Sequence, residues 1–340
     1  MATTKRIYLM NAYNTFKQTD KYLYDMLEAD GYRIMKTFWC NRRGENSKIK
    51  CNLRILYIIA YLVFRAKRHD IILSWDSDDM PKKIGFAFSI FRPDLYVIKY
   101  NSPADLRGMK KHTFKWWCFR KAYSHIINTT SAIEQSNLYK AILELPSWHF
   151  HVLPDSLKNH PKMLDKITDR TDKGYIFSGG GAARDWKTLM KTACLLPQYK
   201  FKVATNEKNA KLITDKPDNV EIITNANYHD FNQLVANSSL LFIPLTSTWQ
   251  GGVTVINDAA YLGKMSVTTD FLGIHGYYNY EEIVTVEQGN AKEAADKIKS
   301  LMENTSLRES IAQRAKNKVK KDFRIEIFYN LMKSELFTLV

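Results

Sequence analysis

Gly251 and Gly252, followed by Thr254 and Asp258, are the spacing in this chain with the most evident chemistry. Adjacent glycines let a backbone approach a phosphate closely, and a helix opening at Val253 presents free N–H groups and the positive end of its dipole to that phosphate. Thr254 and Asp258 are four apart, so on a helix they share a face, and a carboxylate there can accept two hydrogen bonds from a ribose diol. The plainer reading is a tight turn and a solvated helix acid. A second run, Gly179-Gly180-Gly181, precedes Arg184 and Lys187. A guanidinium fits phosphate bidentately and an ammonium adds a point charge; the plainer reading is a βα turn with surface cations. Asp76, Asp78 and Asp79 form a third group. Crowded carboxylates raise one another's pKa, which suits a general base, yet the same residues can simply cap the helix entered at Pro81.

These residues need elements to hold them. The apolar run 240–244 reads as a buried strand, 253–262 as a helix stopped by Gly263, and 265–268 as the next strand. Strand, glycine loop, helix, strand is a βαβ unit, and its loop opens at the carboxyl edge of a parallel sheet, where open α/β sheets bind ligands. The same alternation gives strands at 6–10, 33–38, 70–74, 95–99 and 126–129, then at 175–178, 200–204 and 220–223. Helices are expected at 20–30, 53–67, 83–91 and 132–143, with 42–50 a basic loop, 231–237 a helix after a loop at 225–230, and further helices at 290–302, 306–323 and 325–336. The class is α/β with Rossmann-like sheets. The expected division is 1–155, a charged linker at 156–173, a second domain at 174–322, and a terminal segment at 323–340.

The 240–270 segment resembles the donor-binding motif of GT-B glycosyltransferases, especially the large retaining family 4. That motif has a glutamate, a glycine loop and a second glutamate eight residues after the first. Gln250 stands at the first acidic position and Asp258 at the second, followed by Ala259 and Gly263. Asp258 keeps the carboxylate that binds ribose in the family; Gln250 does not keep the one near the donor sugar, which leaves retention or inversion open. The Gly180-Gly181 loop with Arg184 and Lys187 resembles the motif whose arginine and lysine pair with the donor diphosphate, although the two cations are closer together here. The resemblance further implies that Asn225 and Tyr228 border the base, and that Gly251, Gly252, Val253 and Thr254 hold the donor. Asp76 matches the aspartate of a His-Asp pair, with Trp75 in place of the histidine. Tyr100-Asn101-Ser102-Pro103-Ala104 stands where a Tyr-Asp-x-His-Glu run is usual.

The implied architecture is two Rossmann-like domains facing a central cleft, with the C-terminal helix crossing back to the first. The implied activity is transfer of a sugar from a UDP- or GDP-linked donor to a glycan or lipid-linked acceptor, in cell-surface polysaccharide or glycoconjugate synthesis. No metal or other cofactor is expected, since Arg184, Lys187 and the helix terminus at Gly252 would neutralise the departing diphosphate. Asp76-Ser77-Asp78 also looks like the metal-binding DxD of GT-A enzymes, but that fold would leave the second βαβ region unexplained.

The 340 residues carry 50 basic and 35 acidic side chains, net +15. The excess is uneven: 25 against 14 in residues 1–155, and 25 against 21 thereafter. The first half therefore expects an anionic partner. The stretch 110–125 interleaves Lys110, Lys111, Lys115, Arg120 and Lys121 with Phe114, Trp116, Trp117 and Phe119. That suits an anionic membrane surface; phosphate contacts with base stacking, or a core helix with solvated lysines, are the other readings. The opening MATTKRIYLMNAY enters a strand at once, and the longest apolar run, 55–64, is too short to span a bilayer. Four scattered cysteines show neither a zinc spacing nor a disulfide framework. The expectation is a cytoplasmic protein, peripheral at the inner membrane face, with no nucleic-acid partner. A non-catalytic nucleotide-sugar-binding subunit and a basic nucleic-acid-binding protein are the alternatives.

Overall fold

The computed structural model describes residues 5–13, 21–41, 47–75, 79–100, 104–157, 161–249 and 251–340. The chain divides into two compact units, Met1–Asp155 with Ile325–Val340, and Ser156–Arg324.

In the first unit, β1 (Arg6–Tyr13), β2 (Arg33–Asn41), β3 (Ile71–Trp75), β4 (Val97–Tyr100), β5 (Ile126–Thr130) and β6 (Phe150–Val152) form a sheet in the order β2-β1-β3-β4-β5-β6. Every neighbouring pair is parallel. The connecting helices are α1 (Lys21–Ala29), α2 (Lys48–Arg65), α3 (Asp79–Phe91), α4 (Phe114–Tyr123) and α5 (Ile133–Leu143). Residues of β3, β4 and β5 are buried throughout, as expected of parallel strands with both faces covered. The basic loop expected at 42–50 does not extend to residue 50. The Ser47 hydroxyl accepts from the Lys50 N–H and starts α2 at Lys48, five residues before the expected helix.

In the second unit, β7 (Tyr175–Gly179), β8 (Lys200–Thr205), β9 (Val220–Thr224), β10 (Leu240–Ile243), β11 (Ser266–Thr269) and β12 (Val284–Val286) are ordered β12-β11-β10-β7-β8-β9, again parallel. Helices α6 (Trp186–Leu195), α7 (Tyr228–Ala236), α8 (Val253–Tyr261), α9 (Ala291–Glu303) and α10 (Thr305–Asp322) pack on this sheet. The charged stretch read as a linker is part of this unit. Leu157, Leu164 and Ile167 lie in its core with Phe323 and Val319, and the Leu157 N–H donates to the Phe323 carbonyl at 2.8 Å. Three apolar residues among many charges carry no periodicity, so their burial had no local signature.

The last helix, α11 (Ile325–Glu335), belongs to the first unit. Its Phe328 packs against Trp75 and Tyr100, with ring centroids 5.7 and 4.7 Å away. The Tyr329 hydroxyl (2.8 Å) and the Lys333 ammonium (2.5 Å) both donate to Asp30 Oδ2. Those two donors hold the Asp30 carboxyl below its ordinary pKa.

Candidate functional site

In the second unit the chain turns to opposite sides of the sheet from β7: β8 and β9 lie on one flank, β10 to β12 on the other. The carboxyl ends of β7 and β10 are therefore a topological switch point, where the loops diverge and leave a crevice. Both glycine loops arise there. The loop after β7 leans on the β10 loop through an antiparallel bridge between Arg184 and Leu245, with the Asp185 N–H donating to the Pro244 carbonyl and the Thr246 N–H to the Ala183 carbonyl, each at 2.9 Å. Gly180 has φ +96 and Ala183 φ +56. A left-handed alanine costs about 1–2 kcal/mol, strain of the kind that gathers where loop shape matters.

Arg184 is the centre of this crossing. Its Nε–H donates to the Gly179 carbonyl at 2.6 Å and its Nη1 to the Ala182 carbonyl at 2.9 Å. The side chain is 8% exposed, and among the described residues no carboxylate pairs with it. Burial alone pushes its pKa down to about 10, so it remains a cation at neutral pH. A Cβ on Gly180 would lie 2.4 Å from its Nη2, and one on Gly252 would lie 3.6 Å from its Nη1. Gly180 is thus needed for the guanidinium to sit where it does, while Gly252 lies in ordinary van der Waals reach of it.

Gly252 opens α8 with φ +70 and offers no side chain to cap it. Other helices here are closed by Ser47, Thr113, Asp185, Asn227, Asn290 or Asn304. At α8 no side chain among the described residues caps the first N–H groups, and a buried guanidinium lies beside them. An anion fits that pair of features. Lys187 is exposed on the first turn of α6 and makes no ion pair among the described residues.

The remaining candidates line the same edge. The Asn225 N–H donates to the Thr205 carbonyl (3.0 Å) and its Nδ2 to Glu207 (2.8 Å), with φ +56. Thr205 in turn donates its hydroxyl to the Gly180 carbonyl at 2.7 Å, and Asn209 Nδ2 reaches the Gly181 carbonyl at 3.3 Å. Thr205, Glu207 and Asn209 were not singled out by the sequence, because nothing in a lone Thr or Asn marks the loop it will brace. Tyr228 is the first residue of α7, capped by Asn227, rather than part of a loop. Its hydroxyl feels the Asp258 charge without a well-aligned hydrogen bond, and burial, followed by that charge, raises its pKa strongly. Asp258 is only 4% exposed, whereas Thr254, one turn nearer the loop, and Val253 are more open. Next to it, Asn257 Oδ1 accepts from the Tyr278 hydroxyl at 2.6 Å. Gln250 lies outside the described residues.

Asp76 and Asp78 also lie outside the described residues; Asp79 begins α3 and pairs with Lys82 at 3.3 Å. Behind that point the first sheet carries a polar row. Ser74, Lys99 and Asn128 are register neighbours across β3, β4 and β5 and are at most 1% exposed. The Lys99 ammonium stands over the Tyr123 ring at 5.9 Å. The Ser74 hydroxyl, both amide atoms of Asn128 and the Tyr123 hydroxyl are buried without a hydrogen-bond partner among the described residues. Tyr100, at the end of β4, donates its hydroxyl to Asp155.

Residues 189–318 match the family model described as Glycosyl transferases group 1. No curated protein matches the chain by sequence. Solved structures similar to it include a sucrose-phosphate synthase from Thermosynechococcus elongatus, at 11% identity and TM-score 0.72, covering 98% of this chain and 99% of that one. WaaG, a glycosyltransferase involved in lipopolysaccharide biosynthesis, is similar at 9% identity and TM-score 0.67, covering 97% and 99%. HepE of Anabaena, in complex with UDP and glucose, is similar at 13% identity and TM-score 0.66, covering 98% and 99%. The fold is the GT-B class, α/β with two Rossmann-like sheets. With the family match over most of the second unit, it supports a glycosyltransferase.

Proposed function

We propose that the chain transfers a sugar from a UDP- or GDP-linked donor to a glycan or lipid-linked acceptor. The observation that carries this is the cradle at the β7/β10 switch point: two glycine loops and, among the described residues, a helix N-terminus with no side-chain cap and a buried guanidinium with no counter-charge. A nucleoside diphosphate supplies the missing negative charge. The likeness to HepE, a protein seen with UDP and glucose, supports the same ligand class.

In this mechanism Arg184 and the α8 N–H groups meet the charge that develops as the diphosphate departs, and they are in place before the reaction. Lys187 reaches the diphosphate from the first turn of α6. Asp258 receives the ribose hydroxyls beside Tyr228, and Asn225 lies towards the base. Asp76 takes the proton from the acceptor hydroxyl if the sugar inverts; in a retaining course the departing phosphate takes it. With that charge met by Arg184, the transfer proceeds in EDTA. The chain would act as a peripheral protein at the inner face of the membrane, in cell-surface polysaccharide or glycoconjugate synthesis; the likeness to WaaG supports that setting.

A thermal-shift screen against UDP-, GDP-, ADP- and CMP-sugars tests the donor. A ligand at about 100 times its Kd adds about 2.7 kcal/mol to native stability. One base should raise the midpoint above the others, and no rise with any of them would sink the reading.

A further inference from the structure

We propose that the outer face of α2, α3 and α4 docks on an anionic lipid bilayer. Helix α2 is apolar on two sides. Ile55, Ile58 and Leu62 point into the first unit and are at most 1% exposed. On the opposite side Ile49, Leu53, Leu56 and Phe64 are 74, 60, 61 and 84% exposed, with Ala60 exposed between the last two. A single exposed leucine is ordinary, but a stripe at helical spacing along 18 residues is not.

The neighbouring helices continue it. Arg92, just past α3, donates through Nη1 to the Val63 and Ala66 carbonyls at the end of α2, at 2.7 and 2.9 Å. Lys83 on α3 reaches Asn52 on α2 at 2.8 Å. Gly85 lets α3 approach α4 so closely that a Cβ would fall 2.5 Å from the Ala122 carbonyl oxygen. These neighbouring helices expose further large apolar side chains, Phe91 of α3 (64% exposed) and Trp117 of α4 (47%). The stretch 110–125 contributes less than its composition suggests: Trp116 is 8% exposed and its indole N–H donates to the Ile142 carbonyl at 2.6 Å.

Charge selects the occupant. Across α2, α3 and α4 there are nine Lys and Arg residues and one acid, Asp79. A second copy would set these like charges against each other. A polynucleotide would use the cations but leave the Ile and Leu stripe exposed. A bilayer uses both: apolar side chains enter the headgroup and acyl boundary, while Lys and Arg stay at anionic headgroups. Among the described residues no helix is long and apolar enough to cross a membrane, so α2 would lie in the interface.

The inference does not need the donor reading, and its test keeps the two apart. The full chain is sedimented with vesicles of phosphatidylcholine alone or mixed with phosphatidylglycerol, at low and high salt, without sugar nucleotide. A double variant, Leu53→Glu with Leu56→Glu, is compared after its unfolding midpoint and nucleotide binding are shown unchanged. The expected result is capture by the anionic vesicles only, reduced by salt, and at least ten-fold weaker in the variant. Equal capture by both lipids, or an unaffected variant, overturns the proposal. So does a dimer that the variant disperses with no vesicle binding, or polynucleotide binding that the variant retains while vesicles are ignored.

Discussion

The carboxyl edges of the two sheets are built by different means. In the second unit the edge is made of backbone: glycines at positive φ, an uncapped helix start, and one guanidinium fixed by main-chain carbonyls. In the first unit it is made of side chains: a buried Ser74–Lys99–Asn128 row, and Trp75 and Tyr100 packed on Phe328 from the far end of the chain. A diphosphate is the same in every UDP-, GDP- or ADP-linked sugar, so a backbone cradle with a fixed cation would serve it. The Ser74–Lys99–Asn128 row is at most 1% exposed, so it shapes the first sheet from within rather than meeting a ligand.

The largest expected effect separates the two edges by function. Asp76→Asn should lower transfer by about 10²–10⁴-fold, the usual contribution of a general base, with nucleotide affinity unchanged in calorimetry. Full activity would remove Asp76 from the mechanism and leave the first unit without a chemical role. Asp258→Ala should weaken UDP or GDP binding by about 1–3 kcal/mol if its ribose hydrogen bonds are buried. Because Asp258 is itself buried, the unfolding midpoint must be read alongside; a lost midpoint with unchanged affinity would make it a packing residue beside Tyr228. Gly180→Ala sharpens the claim that backbone builds the donor edge. It forces φ +96 on a residue with a Cβ, at about 1–2 kcal/mol, and displaces the Arg184 guanidinium. Nucleotide affinity should fall; unchanged affinity would show that the loop does not position Arg184.

The smallest effect belongs to the first unit alone. Burial lowers the pKa of His125 and His149, whose Nδ1–H groups donate to the Leu95 and Ile126 carbonyls at 3.0 and 2.9 Å. Below about pH 6.5 the unfolded chain binds protons there and the folded chain resists them. Stability is therefore full above that pH and lost as it falls further. Urea midpoints at about pH 7.5 and 5.5 should show the drop, and His149→Gln should lessen it; an equal drop in the variant would put the acid sensitivity elsewhere.

The same contrast explains what could be read from the sequence. Val253–Tyr261 and its flanking strands were legible because glycine loop, helix period and Gly263 stop are local signals. Arg184 was legible as a cation near a glycine run; its burial was not, since that depends on the loop after β10, some sixty residues later. The Thr205 brace to Gly180 and the burial of Leu157, Leu164 and Ile167 likewise depend on partners distant in sequence. The outward stripe of α2 shows the limit in reverse. A helix apolar on two sides reads from sequence as buried, and only the exposures of Leu53 and Phe64 show that one side is open.

The central claim is that the β7/β10 switch point binds a nucleoside diphosphate through Arg184. Calorimetric titration of UDP and GDP into the full chain and into Arg184→Met measures it directly. The account predicts one saturable site for at least one of the two in the native chain, weakened by about 1.5–3 kcal/mol in the variant, as for a lost hydrogen bond to a charged group. Equal affinity in a folded Arg184→Met, or no binding of either nucleotide by the native chain, would contradict it.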